Sequence, residues 1–448
     1  MNKRVDAIPV LTDSLVSDLI AQGWPLESLH VWHRHFLKQR SYSVQENLDF
    51  MLKQFRRPTQ EFAVTLRING ATRLQAVDDF GGFDCSPASG ITSKTDAERK
   101  FAESGHYVVF ARGTFSGVDF TSAAIAARSQ FESLLDLLRF EYERTSLKID
   151  SRSFVTRLGD NQTDLVAINN PVPNPVESLN DDDFKAFSKK LDGAMASPKL
   201  DSETKSRVRT AFRQNRFGSD SESYSDKFLN WWMGLEALAN VDGEYIGRTV
   251  TRNVSHAMLT GYLFRLLRDL LTTLKYIDIK WESDWKAVSG ADSVRGLNVP
   301  GLVKLIQDQK DHDIFSNQLQ DHPVVAYETK RIAVWLCEPK KAAEQLESHR
   351  QRLEWHLNRL YRIRCCIVHG APVRFRLALF AANLEYYLKQ TLIFVLDAFH
   401  DHPHIKDLPS LFHRSTTNWD RTIRSLKDNS ATIDTINDAV FADVVIQK

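Results

Sequence analysis

The sequence predicts an α+β protein in which a small α/β module precedes a mainly α-helical region. Three observations support this: an alternating strand pattern begins near residue 60, a proline-rich segment lies near residue 172, and helical periodicity dominates after residue 182. The chain has 448 residues, more than one hydrophobic core usually organises. We therefore expect an N-terminal module of unknown role over 1–165, a linker and lead-in over 166–200, and a helical domain over 201–448.

The N-terminal module combines helical and extended patterns. Apolar residues recur at helix-like spacing between positions 16 and 36, with a break at 23–25, so 1–58 is predicted to be largely helical. An alternating strand then leads into Asn69-Gly70, a pair that favours a hairpin turn. Its apolar members are Phe62, Val64, Leu66 and Ile68. The other predicted elements are strands at 72–77, 106–117 and 151–158 and a helix at 120–142.

The proline-rich segment, residues 169–175, is the predicted boundary between the two parts of the chain. Pro171, Pro173 and Pro175 stand at alternate positions. Each proline lacks a backbone N–H and fixes φ, which excludes helix and interior strand. We expect this segment to be exposed and open to proteolysis.

The helical region has one especially clear apolar stripe, at 224–240. Its members follow the 3.6-residue period of a helix, and they are Tyr224, Phe228, Trp231, Leu235 and Leu238. Further helices are predicted at roughly 255–276, 340–369 and 374–399. Pro339 is a natural start for the second of these, and Gly370 with Pro372 is a natural end.

Several features restrict where the protein is expected to work. No stretch of 18 or more apolar residues occurs, and the nearest, at 377–399, is interrupted by Glu385, Lys389 and Gln390, so no membrane span is predicted. The first ten residues lack the apolar segment of a secretory signal. The four cysteines lack the C-x-x-C spacing of a zinc site, which favours a reducing, cytoplasmic setting.

Two histidine-containing parts of the chain are candidate ligand sites. His400, His402 and His404 form a short cluster, but such a cluster after a helix is more often a polar turn than a metal site. Segments 311–313 and 321–322 have the Asp and His pairs of HD-type phosphohydrolases without a second spaced set. We therefore expect no metal and no cofactor.

A basic patch stands out in an otherwise nearly neutral chain. Residues 340–376 contain nine Lys and Arg against three Glu, a net charge of +6, while the whole chain has a formal charge of +1. A local basic patch of this kind is typical of polyanion-binding surfaces. A solvated helix face explains the charge equally well.

Arg364 occupies an unusual position within this patch. It falls in the middle of an apolar stripe whose members include Leu353, Leu357 and Leu360. Burying an unpaired guanidinium costs several kcal/mol, so Arg364 needs a buried acid partner, an interface or a cleft. His369 follows about one and a half turns later. Arginine and histidine at a cleft suit phosphodiester chemistry, because one binds phosphate and the other transfers a proton near neutral pH.

Two segments carry a resemblance to a known family. Arg364-x4-His369 matches the R-x4–6-H motif of the HEPN superfamily, and LYRIRCCIVHG at 360–370 is similar to the corresponding segment of Apea-like HEPN domains. FLNWWMGLEALAN at 228–240 resembles the aromatic-rich helix of the same group, with its Leu-Glu pair at Leu235-Glu236. The resemblance covers roughly 200–400 and does not extend to 1–160.

The resemblance implies a helical bundle that pairs into a homodimer and cleaves RNA without a metal. In that family the ribose 2′-OH attacks the adjacent phosphorus, leaving a 2′,3′-cyclic phosphate and a 5′-OH. Many members act in toxin–antitoxin or anti-phage systems, which implies an antitoxin or a trigger protein as a further partner. By the same resemblance His369 is the acid/base or 2′-OH-orienting residue, Arg364 binds the scissile phosphate, and Glu236 holds Arg364.

Two departures from the family pattern leave alternatives open. Many HEPN nucleases have a polar residue, often Asn, where this chain has Cys365. Arg362 also fits the looser motif as R-x6-H, and on a helix it lies within about 20° of His369. The alternative function is a catalytically inactive HEPN module that acts as an RNA-binding or protein-interaction scaffold. In it, Arg364 forms a buried ion pair and His369 only ends a helix.

Overall fold

The computed structural model describes residues 7–29, 31, 44–70, 79–92, 94–105, 107–141, 148–168, 181–221, 223–241, 245–277, 279–308, 318–319, 322–370, 377–402 and 404–441. The chain divides into two compact units, of which the first spans Pro9–Pro173 and the second contains Asn174–Lys448. The predicted proline-rich boundary at 169–175 lies outside the described residues. A strand-containing unit followed by a helical one confirms the predicted α+β class.

The N-terminal unit is built on a six-stranded sheet of order β2-β3-β4-β1-β5-β6, with antiparallel pairing throughout. The strands are β1 (Gln60–Asn69), β2 (Asp79–Phe80), β3 (Phe83–Ser86), β4 (Val108–Gly117), β5 (Lys148–Arg157) and β6 (Thr163–Ala167). The helices are α1 (Ala7–Ala21), α2 (Val44–Phe55), α3 (Asp96–Ala102) and α4 (Phe120–Glu141). The predicted return strand at 72–77 lies outside the described residues.

The predicted alternation in β1 corresponds to a strand at the centre of this sheet. β1 pairs with β4 on one side and β5 on the other, so that Val64 is opposite both Gly113 and Val155. The apolar members of β1 are buried, and they share a core cluster with Phe131 and Leu135 of α4. One face of the sheet is therefore covered by a helix, which explains why β1 alternates in the sequence.

The C-terminal unit is helical over its described residues. Its helices are α5 (Asp181–Ala196), α6 (Ser202–Asp220), α7 (Tyr224–Ala239), α8 (Ile246–Leu259), α9 (Tyr262–Ile277), α10 (Trp285–Ser289), α11 (Val299–Gln307), α12 (Pro323–Cys337), α13 (Pro339–Val368), α14 (Leu377–Asp401), α15 (Leu408–Lys427) and α16 (Ile433–Phe441). α5 falls inside the segment 166–200 that the sequence indicated as linker and lead-in. α7 and α13 begin and end within about a residue of the prediction.

One predicted helix of this unit, at 255–276, was wrong in its extent. The structure instead has two helices, α8 and α9, separated at Thr260 and Gly261. Gly261 has φ +67°, a left-handed conformation that ends a helix and that glycine adopts without strain. Arg265 then donates from Nη1 to the Thr260 carbonyl at 2.7 Å and from Nη2 to the Met258 carbonyl, so the open end of α8 is satisfied.

Two core clusters organise the C-terminal unit, and α13 contributes to both. The first cluster contains Trp231, Trp232 and Leu235 of α7 with residues of α8, α14 and α15. The second is built mainly from α9, α11, α12 and α16. The N-terminal part of α13 packs into the second cluster through Leu346, and its C-terminal part packs into the first through Leu353 and Leu360. None of the helices that the structure describes combines the length and the apolar character of a membrane span.

Candidate functional site

The candidate catalytic residues lie where α13 ends. His369 is the C-cap residue (φ −94°, ψ 11°), and its backbone N–H donates to the Cys365 carbonyl at 3.0 Å. Gly370 follows in the left-handed conformation at φ +66°, and its N–H donates to Ile367. A glycine here lets the chain turn sharply away from the helix. His369 is exposed.

Arg364 has an acidic partner, as its place in an apolar stripe requires. Its Nη2 lies 3.6 Å from Oε1 of Glu236 on α7, and the two side chains are 25% and 19% exposed. The same Glu236 oxygen accepts a hydrogen bond from the indole Nε1 of Trp232 at 2.5 Å. Trp232 is fully buried, so it fixes the carboxylate that faces the guanidinium. The pairing of Arg364 with Glu236 is therefore present, while the catalytic roles of the two residues stay predictions.

Aromatic packing holds this part of α13 against α7 and α8. The Tyr361 ring lies 5.6 Å from that of Trp232 and 5.7 Å from that of Tyr245. A Cβ added to Gly247 would come within 2.7 Å of the Tyr361 ring, so the glycine lets α8 approach closely. These contacts restrict the rotation of α13 around its axis and hence the direction in which Arg364 points.

Cys365, at the position where many HEPN nucleases have a polar residue, often Asn, faces Tyr361. Hydrogen bonding with Tyr245 raises the pKa of Tyr361, and burial and the Cys365 thiol raise it further. The thiol is thus engaged on the Tyr361 side of the helix. All four cysteines of the chain are free thiols, and Cys365 does not bridge its neighbour Cys366.

Arg362 and Arg364 point in different directions from α13. At about 100° per residue, Arg362 lies about 20° from His369 around the helix axis, whereas Arg364 lies about 140° away. Arg362 is exposed like His369, and Arg364 is partly buried against Glu236. Within one chain, Arg362 is therefore the arginine that shares a face with the histidine, and Arg364 is the one held in a fixed position.

Three other histidines of this unit are packed as neutral groups. Nδ1 of His356 lies 2.8 Å from the Tyr387 hydroxyl, and burial lowers the pKa of His356. His349 stacks on Tyr262 with 3.8 Å between ring centroids, and burial lowers its pKa to about 4. His256 lies 2.8 Å from the Thr416 hydroxyl, and burial lowers its pKa to about 4. These surroundings suit structural histidines better than proton-transfer groups.

A large cavity of about 970 Å³ lies elsewhere in the helical unit and is lined by neither Arg364 nor His369. Its walls come from α5, α8, α9, α11, α14 and α15. Two of its cations already have protein partners, because Arg265 caps α8 and Lys190 pairs with Asp397 at 2.9 Å. Size alone would make this cavity a ligand site, but the residues that the sequence singles out lie outside it.

The histidine cluster after α14 has its own contacts. The rings of His402 and His404 are 5.7 Å apart, and His404 Nε2 lies 2.6 Å from Nη1 of Arg414. Among the described residues, no three His, Cys, Asp or Glu side chains are grouped so that they could hold a metal ion. Asp311, His312 and Asp313 lie outside the described part of the chain.

Sequence reasoning missed two features of the site. Trp232 and Glu236 are four residues apart on α7, a spacing that places them side by side on a helix and could have indicated their hydrogen bond. Trp355 is 72% exposed on α13, although a tryptophan within an amphipathic helix is ordinarily packing. No pattern in the sequence distinguishes it from the buried tryptophans.

Comparisons with protein-family models, with curated proteins and with solved structures found no match. The resemblance to HEPN domains therefore depends on the two segments at 228–240 and 360–370. In the structure these segments lie on α7 and α13, which pack against each other. Their juxtaposition brings Glu236 and Arg364 together, and the family assignment itself stays a prediction.

Proposed function

We propose that the helical unit is a HEPN-type endoribonuclease that cleaves RNA by attack of the 2′-OH, without a metal ion. One observation carries the proposal: α13 ends in an exposed His369, and Arg364, five residues earlier, is paired with Glu236. An arginine held by a carboxylate has a defined orientation, which phosphate binding through two parallel hydrogen bonds requires. An exposed histidine is open to a substrate.

In this proposal the reaction is a transesterification within the RNA. His369 removes the proton of the ribose 2′-OH, or orients that hydroxyl, and the oxygen attacks the adjacent phosphorus. The bond from phosphorus to the 5′-oxygen breaks, and that oxygen takes up a proton. The products are a 2′,3′-cyclic phosphate and a 5′-OH. Arg364 binds the phosphate and stabilises its developing charge, with Arg362 as the competing candidate for that role.

The wider context follows from the family resemblance. A homodimer would bring two copies of the motif together across a shared cleft. The substrate is RNA of the cytoplasm, and the activity belongs to growth arrest of the toxin or anti-phage defence type, restrained by an antitoxin or released by a trigger protein. Sedimentation at micromolar concentration tests the dimer: a monomer with full activity would contradict it.

A catalytically inactive HEPN module is the second candidate, and one observation favours it. Arg364 is turned about 140° from His369 around α13 and is engaged by Glu236. Within a single chain, these two side chains therefore leave α13 in different directions. A scaffold that binds RNA or another protein would need the ion pair only for packing.

The deciding experiment incubates the purified chain with total RNA in the presence of EDTA. We expect cleavage that yields 2′,3′-cyclic phosphate ends, and His369→Ala should slow it about 10²- to 10⁴-fold. The matched control is His413→Ala, which removes an exposed histidine from α15 in the same unit. Arg362→Ala and Arg364→Ala then identify the phosphate-binding residue. If neither arginine variant nor His369→Ala alters cleavage or growth inhibition, the scaffold function stands instead.

A further inference from the structure

The large cavity of the helical unit lies between the two core clusters of that unit. Ala398 and Leu411 on its wall belong to the first cluster, and Leu271 and Val299 belong to the second. Its volume of about 970 Å³ falls at the upper end of the range of about 300–1,000 Å³ that small-molecule sites have. None of the described residues that line it belongs to α13, so a ligand in the cavity would be separate from the candidate catalytic residues.

Basic side chains outnumber acidic ones around this cavity. The basic residues are Lys190, Arg265, Arg268, Lys275 and Arg414, and the acidic residues are Asp397 and Asp401. Lys190 is paired with Asp397, and Arg265 donates to the end of α8. The charge that remains on the wall is still positive, so the cavity suits an anionic ligand.

Helix α9 places two of these cations on one stripe that lines the cavity. Phe264, Arg268, Leu271 and Lys275 all contribute to the wall, and at about 100° per residue they share an arc of about 60°. Arg268 lies 4.0 Å from Asp269, but both side chains are more than half exposed, so this pair is weak. Among the residues that the structure describes, none forms an ion pair with Lys275. The two cations are about 10 Å apart along the helix axis, close enough for two long side chains to contact one phosphate chain.

Polar amides interrupt the apolar part of the wall. Gln390 lines the cavity one turn before Ile393 and Phe394 on α14, and Asn298 lines it where α11 begins. A purely apolar ligand such as an acyl chain would bury these amides against hydrocarbon, which costs free energy. A ligand with flat apolar faces and polar edges suits both kinds of surface, because an amide both donates and accepts hydrogen bonds.

We propose that this cavity binds a nucleotide, with its phosphates on Arg268 and Lys275 and its base against the apolar wall that contains Ile393 and Phe394. A nucleotide combines an anionic phosphate chain, the apolar faces of a base and the polar edges that amides recognise. Arginine binds phosphate through parallel hydrogen bonds, and lysine binds it as a point charge. This site goes beyond the proposed nuclease and requires neither His369 nor an RNA strand.

Isothermal titration calorimetry of the full chain with ATP, GTP, CTP and UTP tests the proposal, with tripolyphosphate, adenosine and dodecyl phosphate as partial probes. We expect at least one nucleoside triphosphate to bind more tightly than each partial probe. Arg268→Ala with Lys275→Ala should weaken that binding at least about 10-fold, which is the loss of one hydrogen bond to a charged group. The matched control is Arg209→Ala with Arg216→Ala, which removes two exposed cations at the same seven-residue spacing on α6.

A second pair of variants tests the apolar wall and leaves the cations in place. Ile393→Glu puts a carboxylate on the wall and should also weaken binding at least about 10-fold, because it repels the phosphates and charges the surface that the base contacts. Leu379→Glu is its control, since Leu379 lies on the same helix outside the cavity and is 36% exposed, against 38% for Ile393. If the double cation variant does not fold, this pair still decides the question.

Three outcomes would overturn the nucleotide site. The first is that no nucleoside triphosphate binds at millimolar concentration. The second is that tripolyphosphate or dodecyl phosphate binds as tightly as the best nucleotide, which would make the cavity a site for a bare anion or an acyl chain. The third is that binding persists in Arg268→Ala with Lys275→Ala and is lost in His369→Ala with Arg364→Ala, which would place the nucleotide at the candidate catalytic residues. RNA cleavage is measured separately, so the nuclease can fail while the nucleotide site stands.

Discussion

The ion pair between Arg364 and Glu236 predicts a specific response to removing its negative charge. Glu236→Gln keeps an oxygen that can accept the Trp232 hydrogen bond, whereas Glu236→Ala removes both the charge and the acceptor. At 3.6 Å and an effective dielectric constant near 20, two unit charges attract by about 4–5 kcal/mol. Each side chain is a fifth to a quarter exposed, so solvent screens part of this Coulomb attraction. We therefore expect a coupling energy of about 1–2 kcal/mol between Arg364 and Glu236.

A double-mutant cycle measures this coupling. The free energy of unfolding in urea is determined for wild type, Glu236→Gln, Arg364→Gln and the double variant, and the non-additive part is the coupling energy. Glu236→Ala should lower the free energy of unfolding by about 1 kcal/mol more than Glu236→Gln does, because the buried indole N–H of Trp232 loses its acceptor. In the nuclease, Glu236→Gln should also slow cleavage by releasing the Arg364 guanidinium from its fixed direction.

The outcome that refutes this reasoning is additivity. If the two single substitutions sum to the double within about 0.3–0.5 kcal/mol, the pair contributes no coupling, and Glu236 is not the partner that burial of Arg364 requires. If coupling is present but Glu236→Gln leaves cleavage unchanged, the ion pair is structural, and the phosphate-binding role passes to Arg362.

Three further predictions concern the helical unit. The pKa of His256 is lowered to about 4 by burial, so the unfolded chain takes up a proton first as pH falls below about 6.5. The stability that neutral His256 contributes is complete above that pH and falls by about 2 kcal/mol between pH 7 and pH 5. Urea unfolding of the wild type and of His256→Gln across this pH range measures the fall. Parallel pH profiles for the two proteins would contradict the prediction. Lys227→Met should lower the free energy of unfolding by about 1–3 kcal/mol, because this 2%-exposed lysine donates to the last carbonyls of α6 and methionine cannot. An unchanged melting temperature in a thermal scan would show that these hydrogen bonds do not stabilise the fold. Gly247→Ala should lower the free energy of unfolding by about 1–3 kcal/mol, because the added methyl group crowds the Tyr361 ring. Tyr361→Leu in the same chain should recover part of that loss. A Gly247→Ala protein as stable as wild type would show that the Tyr361 ring can move away at no cost.

The sequence predicted best where one physical signal was strong and local. α7 and α13 have long apolar stripes, so the existence of both helices could be predicted, and Pro339 and Gly370 mark the two ends of α13. The position of Arg364 in an apolar stripe indicated an acid partner, an interface or a cleft, and the resemblance to HEPN domains implied that Glu236 is the acid. The limits of the helices needed only the chemistry of single residues and the period of a helix.

What could not be predicted depended on tertiary packing. The leucine-rich pattern continues across Gly261, so the apolar periodicity predicted one helix where the structure has α8 and α9, and Gly261 was the one local indication of a break. β2 and β3 are two and four residues long, too short to establish an alternation. The burial of His349 follows from its stacking on Tyr262, a residue 87 positions earlier in the sequence. The exposure of Trp355 likewise depends on which parts of α13 the neighbouring helices leave uncovered.

The length of α13 has a mechanical consequence. Its 30 residues form a rod about 45 Å long, with its first turns anchored in one core cluster and its last turns in the other. A tilt of about 5° around its first turns would move the His369 end by about 4 Å. Because the last turns are packed in the other cluster, such a tilt requires that cluster to rearrange as well, so the packing of the two clusters and the position of His369 can change only together.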